Sequence, residues 1–354
     1  MLTRRYLFFS SLAATVTSLR AAAPALKLGY DTHSLRAWEM KPLEHLDFAA
    51  RHGCNALQIS SLGEFESLEP AALAKVGDRA RELGISLDVG TGCICPSAHA
   101  WKPKSGEPVE NVLRALRSAK AVGARALRCF LGEAADRYDG KGIEHHMGNV
   151  IKIFRAARPA GLETGVKLAL ENHSGDLQAW EVKTIVEESG KDFVGSCLDM
   201  GNPIWCVESP ETTLEILGPL AVTTHVRDTA LSEHPRGCIA QWTACGDGCI
   251  DMARLGRLQK QLCPDTPMLL EIITGRPPRV IPYLEDDFWK GFPKARASEF
   301  ARFVALVKRG HPLMVPMVIE DAPGPKIPEF EAALKKQEMI DLERSLEYAK
   351  AHMI

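Results

Sequence analysis

Eight short, nearly continuous apolar runs, alternating with stretches of helical periodicity, constrain the fold of this chain more than any other feature. They occupy residues 26–30, 56–60, 85–89, 124–130, 166–171, 193–199, 221–226 and 268–273, each bounded by Gly, Asn, Asp or Pro. A strand buried on both faces reads as such a run, because neither face is left to water. Helical patterns lie at 70–83, 109–122, 142–160, 177–189, 210–217, 251–262 and 297–308. Gly84 and Gly123 stand where two of them stop, Ser209-Pro210 where a third begins, and Asp251 as the expected N-cap of a fourth; helix ends favour these residues. Strand–helix alternation builds a parallel sheet with crossover helices. An open doubly wound sheet would carry a Gly-rich phosphate turn after its first strand. Here that strand runs into Asp31-Thr32-His33 instead. The expected fold is α/β, a single (β/α)₈ barrel over residues 26–309.

Two segments stand apart from the repeat. Between residues 310 and 354, Pro312, Pro316, Pro323, Pro325 and Pro328 precede a charged helix at about 329–352. This helical extension is expected to pack on the barrel or on a second copy in a homo-oligomer. An insert at 275–294 carries Arg276, Arg279, Tyr283, Phe288 and Trp289. Loops after strands build the active face of such barrels, so the insert is a candidate lid.

At the N-terminus, Arg4 and Arg5, a mostly apolar run at 7–19 and Ala23-Pro24-Ala25 have the layout of an export signal. The stretch from Thr3 to Leu7 resembles a twin-arginine signal, which implies export to the periplasm. The apolar run is short against the roughly 20 residues of a membrane span. Cleavage after residue 25 is therefore favoured over anchoring, and no membrane contact is expected afterwards. A formal net charge of −2 offers no electrostatic footprint for nucleic acid. The ten cysteines include no CxxC pair, so a structural zinc site is not expected.

The chemical signal lies at the ends of the fifth to eighth strands. They read Leu170-Glu171-Asn172-His173, Leu198-Asp199-Met200-Gly201-Asn202, His225-Val226-Arg227-Asp228 and Leu270-Glu271-Ile272. A lone Glu after a strand caps a helix more often than it holds a metal. Four ionisable groups at equivalent places in successive repeats are harder to explain so, since a charge inside an apolar strand is costly unless paired or metal-bound. Three carboxylates and an imidazole suit one hard divalent ion, Mn²⁺ first, with Mg²⁺ or Co²⁺ as alternatives. His33, Arg227 and Trp205 are candidate substrate contacts, together with the rim residues Asp31, His99, Trp101 and Trp242.

This ordered set resembles the sugar phosphate isomerase/epimerase superfamily with the xylose isomerase-like barrel, whose members include ketose 3-epimerases, inosose dehydratases and hydroxypyruvate isomerase. The resemblance runs from about Leu26 to Arg309. It implies that Glu171, Asp199, His225 and Glu271 are the metal ligands. It also implies that Glu171 and Glu271 serve as paired acid and base, with His173 at a substrate-contacting position. The expected activity is isomerisation or epimerisation of a small sugar or keto-sugar through an enediolate. The alternative is a metal-dependent lyase acting on an oxidised sugar: a dehydratase, a 3-keto-glycoside eliminase or a 3-oxo-acid decarboxylase.

Overall fold

The computed structural model describes residues 26–315 and 318–354; the expected export signal lies outside the described residues. In chain order the strands are β1 (Leu28–Asp31), β2 (Ala56–Ile59), β3 (Ser86–Cys93), β4 (Ala126–Phe130), β5 (Lys167–Glu171), β6 (Val194–Asp199), β7 (Ala221–His225), β8 (Asp228–His234), β9 (Gly237–Thr243), β10 (Met268–Leu270) and β11 (Arg279–Ile281). The helices are α1 (Pro42–Arg51), α2 (Pro70–Glu82), α3 (Pro108–Val122), α4 (Ile143–Leu162), α5 (Ala179–Ser189), α6 (Pro210–Leu217), α7 (Met252–Leu262), α8 (Asp286–Trp289), α9 (Ala297–Arg309) and α10 (Pro328–His352).

All eight expected strands form, and they pair in parallel in the order β10-β1-β2-β3-β4-β5-β6-β7. The ring is drawn shut between β7 and β10 by a single bridge, Val226 to Leu270. Val226 N–H donates to Leu269 O at 2.8 Å, and Glu271 N–H donates to Val226 O at 3.0 Å. Thr224 Oγ1 adds a side-chain stitch, donating to Pro267 O at 2.8 Å and accepting from Leu269 N–H at 3.2 Å. These contacts bring Glu271 beside the end of β7. Two residues below Arg128, Glu171 and Asp199 on the inner strand faces lie Ala126, Ala169 and Cys197, a small apolar cluster. The polar layer at the rim therefore rests on a narrow, dry floor.

The expected caps are present: Ser209 accepts from Thr212 N–H, Asp251 accepts from Arg254 N–H, and Gly123 takes the left-handed conformation (φ 78°) that closes α3. Helix α1 and the short 3₁₀ segment Thr32–Trp38 before it were not expected.

The region after β7 departs further from expectation. Strands β8 and β9 form an antiparallel hairpin over the rim, and β11 pairs with β9. The insert expected as a lid is thus the third strand of a small sheet. Its aromatic residues are packed in place: Tyr283 meets Phe300 edge-on at 5.3 Å, and Phe288 stacks on Phe292 at 4.9 Å. Helix α9, which the sequence places as the eighth barrel helix, buttresses this sheet, with Phe303, Leu306 and Val307 in a separate apolar cluster with Leu231, Cys238 and Ile281.

Helix α10 lies against the barrel instead. Its Leu342, Leu346, Ala349 and Met353 join the main core, and they recur at helical spacing on one face. Gly256 of α7 lies directly under Met353, where a side chain would meet its backbone at 2.5 Å. Lys350 Nζ donates to His52 O just past α1 at 2.6 Å. The extension therefore packs beside α7 on its own barrel. No helix among the described residues is long and apolar enough to cross a membrane. All ten cysteines are free thiols.

Candidate metal centre

Glu171 ends β5, Asp199 ends β6, His225 ends β7, and Glu271 follows β10 directly. One potential ligand atom from each lies within 4.8 Å of the others. His225 Nδ1 is 3.2 Å from Glu171 Oε1, 3.1 Å from Glu271 Oε2 and 3.8 Å from Asp199 Oδ2. The other ring nitrogen, Nε2, faces Asp31 Oδ2 at 3.4 Å and the Gln58 amide. An Nε2–H directed at Asp31 leaves the Nδ1 lone pair aimed at the three carboxylates. That arrangement is repulsive unless a cation or a proton lies between them. A carboxylate behind a ligating imidazole is the usual support for a metal-bound histidine.

The carboxylates are themselves held. Asp199 Oδ1 accepts from the N–H groups of Gly201 and Asn202, both at 2.7 Å. Asn172 and Asp199 exchange two hydrogen bonds at 2.9 Å, which ties the end of β6 to the β5 loop. Glu171 pairs with Arg128 through Oε2 and accepts from Asn202 Nδ2 at 3.2 Å through Oε1. Arg227 pairs with both Asp199 and Glu271.

Four buried carboxylates, Asp31, Glu171, Asp199 and Glu271, thus face two buried guanidinium groups, Arg128 and Arg227. With His225 neutral, two negative charges remain unbalanced, the charge of one divalent ion. The donor set fits such an ion. Protons compete for the same place. Burial works against the His225 imidazolium, yet the Cys197 sulfur and the Glu271 and Glu171 carboxylates push its pKa well above the ordinary histidine value. Burial raises the Asp199 carboxyl to about 6, with Arg227 opposing. Burial would also raise Glu171, but Arg128 and then His225 hold it at about 2.

A cavity of about 430 Å³ opens above the cluster. His33, His173, Asn202, Arg227, Trp242 and Glu271 border it, and Glu320–Pro323 of the C-terminal segment form part of its roof. Glu171 and Asp199 lie beneath, fully buried. His173 Nδ1–H donates to Gly132 O at 2.9 Å, and the ring stacks on Phe130 at 4.0 Å, so Nε2 carries the lone pair. Burial lowers the His173 pKa, which keeps the ring neutral.

Of the expected substrate contacts, His33 and Arg227 border this cavity, whereas Trp205 borders a neighbouring one. Arg227 turns to the carboxylates, while Asp228 accepts instead from backbone N–H groups, those of Gly246 and Gly248 among them. His99 pairs with Asp136, and Trp101 packs against the main core. Arg128 was missed, although an Arg flanked by Leu127 and Cys129 within β4 is the same kind of signal that singles out Glu171; Arg125, at the start of the same run, pairs with Asp88 instead. Gln58, behind His225, carries no comparable signal.

A family model described as xylose isomerase-like TIM barrel matches residues 46–287, and the chain belongs to that family. The chain is 24% identical over 208 residues to 3-oxo-isoapionate decarboxylase of Pectobacterium atrosepticum, a match covering 58% of this chain and 68% of that protein. Among solved structures, D-psicose 3-epimerase in the presence of D-fructose superposes with a TM-score of 0.59 and 14% identity, covering 93% of this chain and 99% of that one. The IolI protein with a bound zinc atom gives 0.55 at 15% identity, covering 80% and 98%. At these identities the structural likeness concerns the fold.

Proposed function

We propose that this protein is a divalent-metal-dependent isomerase or epimerase that moves a proton beside the carbonyl of a small sugar or keto-sugar. The observation that carries the reading is the uncompensated double negative charge gathered around the His225 ring beneath a polar cavity, with three of the four carboxylates facing Nδ1. Glu171, Asp199, His225 and Glu271 would hold the ion, with Mn²⁺ the first choice for this hard donor set and Mg²⁺ or Co²⁺ as alternatives. A bound divalent ion would polarise the substrate carbonyl and stabilise the enediolate charge.

The chain's own residues divide the remaining work. Glu271 borders the cavity. Burial favours its neutral form, but Arg227 and His225 hold its carboxyl well below the usual range, so it is ionised and carries no proton of its own; its place at the cavity gives it the role of base in this reading. His173 presents a neutral Nε2 to accept a proton or a hydroxyl hydrogen. Glu171 is enclosed by Arg128 and Asn202, which favours a ligand role over that of the second proton carrier. Arg227 and His33 would orient substrate oxygens.

Decarboxylation or elimination on an oxidised sugar is the second reading, favoured by the likeness to a 3-oxo acid decarboxylase. Both readings pass through the same enediolate. In D₂O with Mn²⁺, the isomerase reading expects solvent deuterium in recovered substrate and its isomer. The lyase reading expects loss of CO₂ or of a leaving group. Neither outcome across ketoses, 3-keto-sugars and 3-oxo sugar acids would refute both. Export by the N-terminal segment is part of the proposal; an intact Met1 in periplasmic material would contradict cleavage.

A further inference from the structure

A second cavity, of about 420 Å³, adjoins the one above the carboxylates. Tyr138, Trp205, Ile281, Phe288 and Phe292 line it. Ser174 and Arg279 are walls of both cavities. Arg279 lies over Trp205, 4.1 Å from its ring centre, and 5.7 Å from that of Trp242. The two tryptophans meet edge-on at 5.2 Å, Trp242 bordering the inner cavity and Trp205 the outer.

This seam is built rather than a loose gap. Ser174 sits at φ 42°, a left-handed conformation uncommon for a residue other than glycine. The turn around it is held by Asp176 N–H donating to His173 O and His173 N–H donating to Asp176 Oδ1, both at 2.7 Å. The same turn sets the orientation of His173. Strand β11, which carries Arg279, is held on β9 by ladder pairing.

We infer that the substrate is a glycoside or disaccharide rather than a free monosaccharide. The reacting keto-sugar ring lies over Glu271 and Arg227, a second ring fills the outer cavity, and the glycosidic bond passes between Ser174 and Arg279. This rests on the inner cavity being a keto-sugar site. The aromatic walls of the outer cavity suit the apolar face of a sugar or aryl ring. Its carboxylates, Glu285 and Asp287, are already paired with Arg236 and Lys290, and Arg279 is stacked on Trp205. Arg279 itself, at the seam, has no carboxylate partner among the described residues, so its N–H groups are open to the hydroxyl or bridging oxygens of a ligand that passes there. Each cavity is near the small end of the roughly 300–1,000 Å³ range of small-molecule pockets, as expected for one ring apiece.

The test compares deuterium exchange on 3-keto-glucose with that on methyl and phenyl 3-keto-glucosides. The Mn²⁺-loaded wild type is measured beside Ala134→Phe and Phe288→Ala. Ala134 is exposed and lines the outer cavity, so Ala134→Phe fills it from the surface. The expected result is a KM at least about tenfold lower for the phenyl glycoside than for 3-keto-glucose. Both substitutions should erase that difference and leave exchange on 3-keto-glucose unchanged. Equal KM values for all three compounds in the wild type, or a preference that survives Ala134→Phe, would overturn the inference while leaving the inner-site reading intact. If no compound exchanges, the inner-site reading fails. Phenyl glucoside binding, followed by tryptophan fluorescence, then decides the outer cavity alone: saturable quenching lost in Ala134→Phe supports it, and no quenching overturns it.

Discussion

Two clusters of buried charge sit near the same face of the barrel and are built on opposite rules. Around Arg137, every charge is answered. The guanidinium pairs with Glu181, donates to Gly291 O at 2.8 Å and Gly175 O at 3.3 Å, and stacks over Phe292 at 4.2 Å. Glu181 Oε2 also accepts from Gln178 N–H at 2.7 Å, which caps α5. Around His225, four carboxylates face only two guanidinium groups. Burial of charge is common to both, so it does not mark the functional site. What sets the proposed centre apart is the unbalanced sum and the lone pair turned toward it. A third arrangement completes the contrast. Glu208 is buried, accepts from Ala179 N–H at 2.9 Å, and the charged groups that act on it most, Glu299 and Glu181, are carboxylates like itself. A buried carboxylate must be neutralised by something: the Arg137 cluster uses a guanidinium and Glu208 a proton, whereas the excess around His225 is left for the proposed ion.

The largest effect is expected where the sum is unbalanced. Glu271→Gln should lower deuterium exchange by about 10²–10⁴-fold, the usual contribution of a positioned base. It should also lower the melting temperature in metal-containing buffer only, because a bound ligand stabilises the native state by mass action. An equal melting shift with and without metal would reduce the centre to a closed cluster like that of Arg137.

Next is Arg137→Met, which leaves Glu181 buried without its partner. Breaking a buried pair from one side costs about 3–5 kcal/mol, measurable by denaturant unfolding. Metal content and exchange per folded molecule should be unchanged. A selective loss of metal from the folded variant would join the two clusters into one.

Asp31→Asn should have a smaller effect. It keeps the shape behind His225 but weakens the acceptor for Nε2–H, and supporting groups of this kind are worth about 10–100-fold in metal affinity. Competition with a chelator reads the change, and unaltered affinity would remove Asp31 from the centre.

The smallest effect on metal binding and exchange is expected at Glu208, whose consequence is confined to stability and its pH dependence. Burial raises its carboxyl from the ordinary 4.5 to about 8. The native state therefore binds a proton that the unfolded chain has released, and the resulting stability is full below about pH 4.5 and lost as pH rises through about 8. Glu208→Gln should flatten that decline, which for a carboxyl moved from 4.5 to about 8 amounts to at most about 5 kcal/mol. A wild-type profile that rises between pH 5 and 8 and is copied by the variant would show that Glu208 is ionised in the fold.

The sequence by itself determined the eight strands, their order and the four residues that cluster at His225. A strand buried on both faces leaves an uninterrupted apolar run, and a charge set at the end of such a run has few reasons to be there. Arg128 was legible by the same rule. Tertiary structure alone decided the rest. Hairpin β8–β9 mixes polar and apolar residues because it lies over the rim, so it leaves no uninterrupted run. Helices α9 and α10 both carry apolar stripes, and only the shapes they meet, Met353 against Gly256 and Phe303 against Leu231 and Ile281, assign one to the barrel and the other to the rim sheet. That Glu271 borders the cavity while Glu171 lies enclosed beneath it depends on Arg128, Asn202 and His225, which come from three different strands or their loops. A single strand encodes which residue it carries. Which face of that residue meets solvent is set by neighbours distant in the chain.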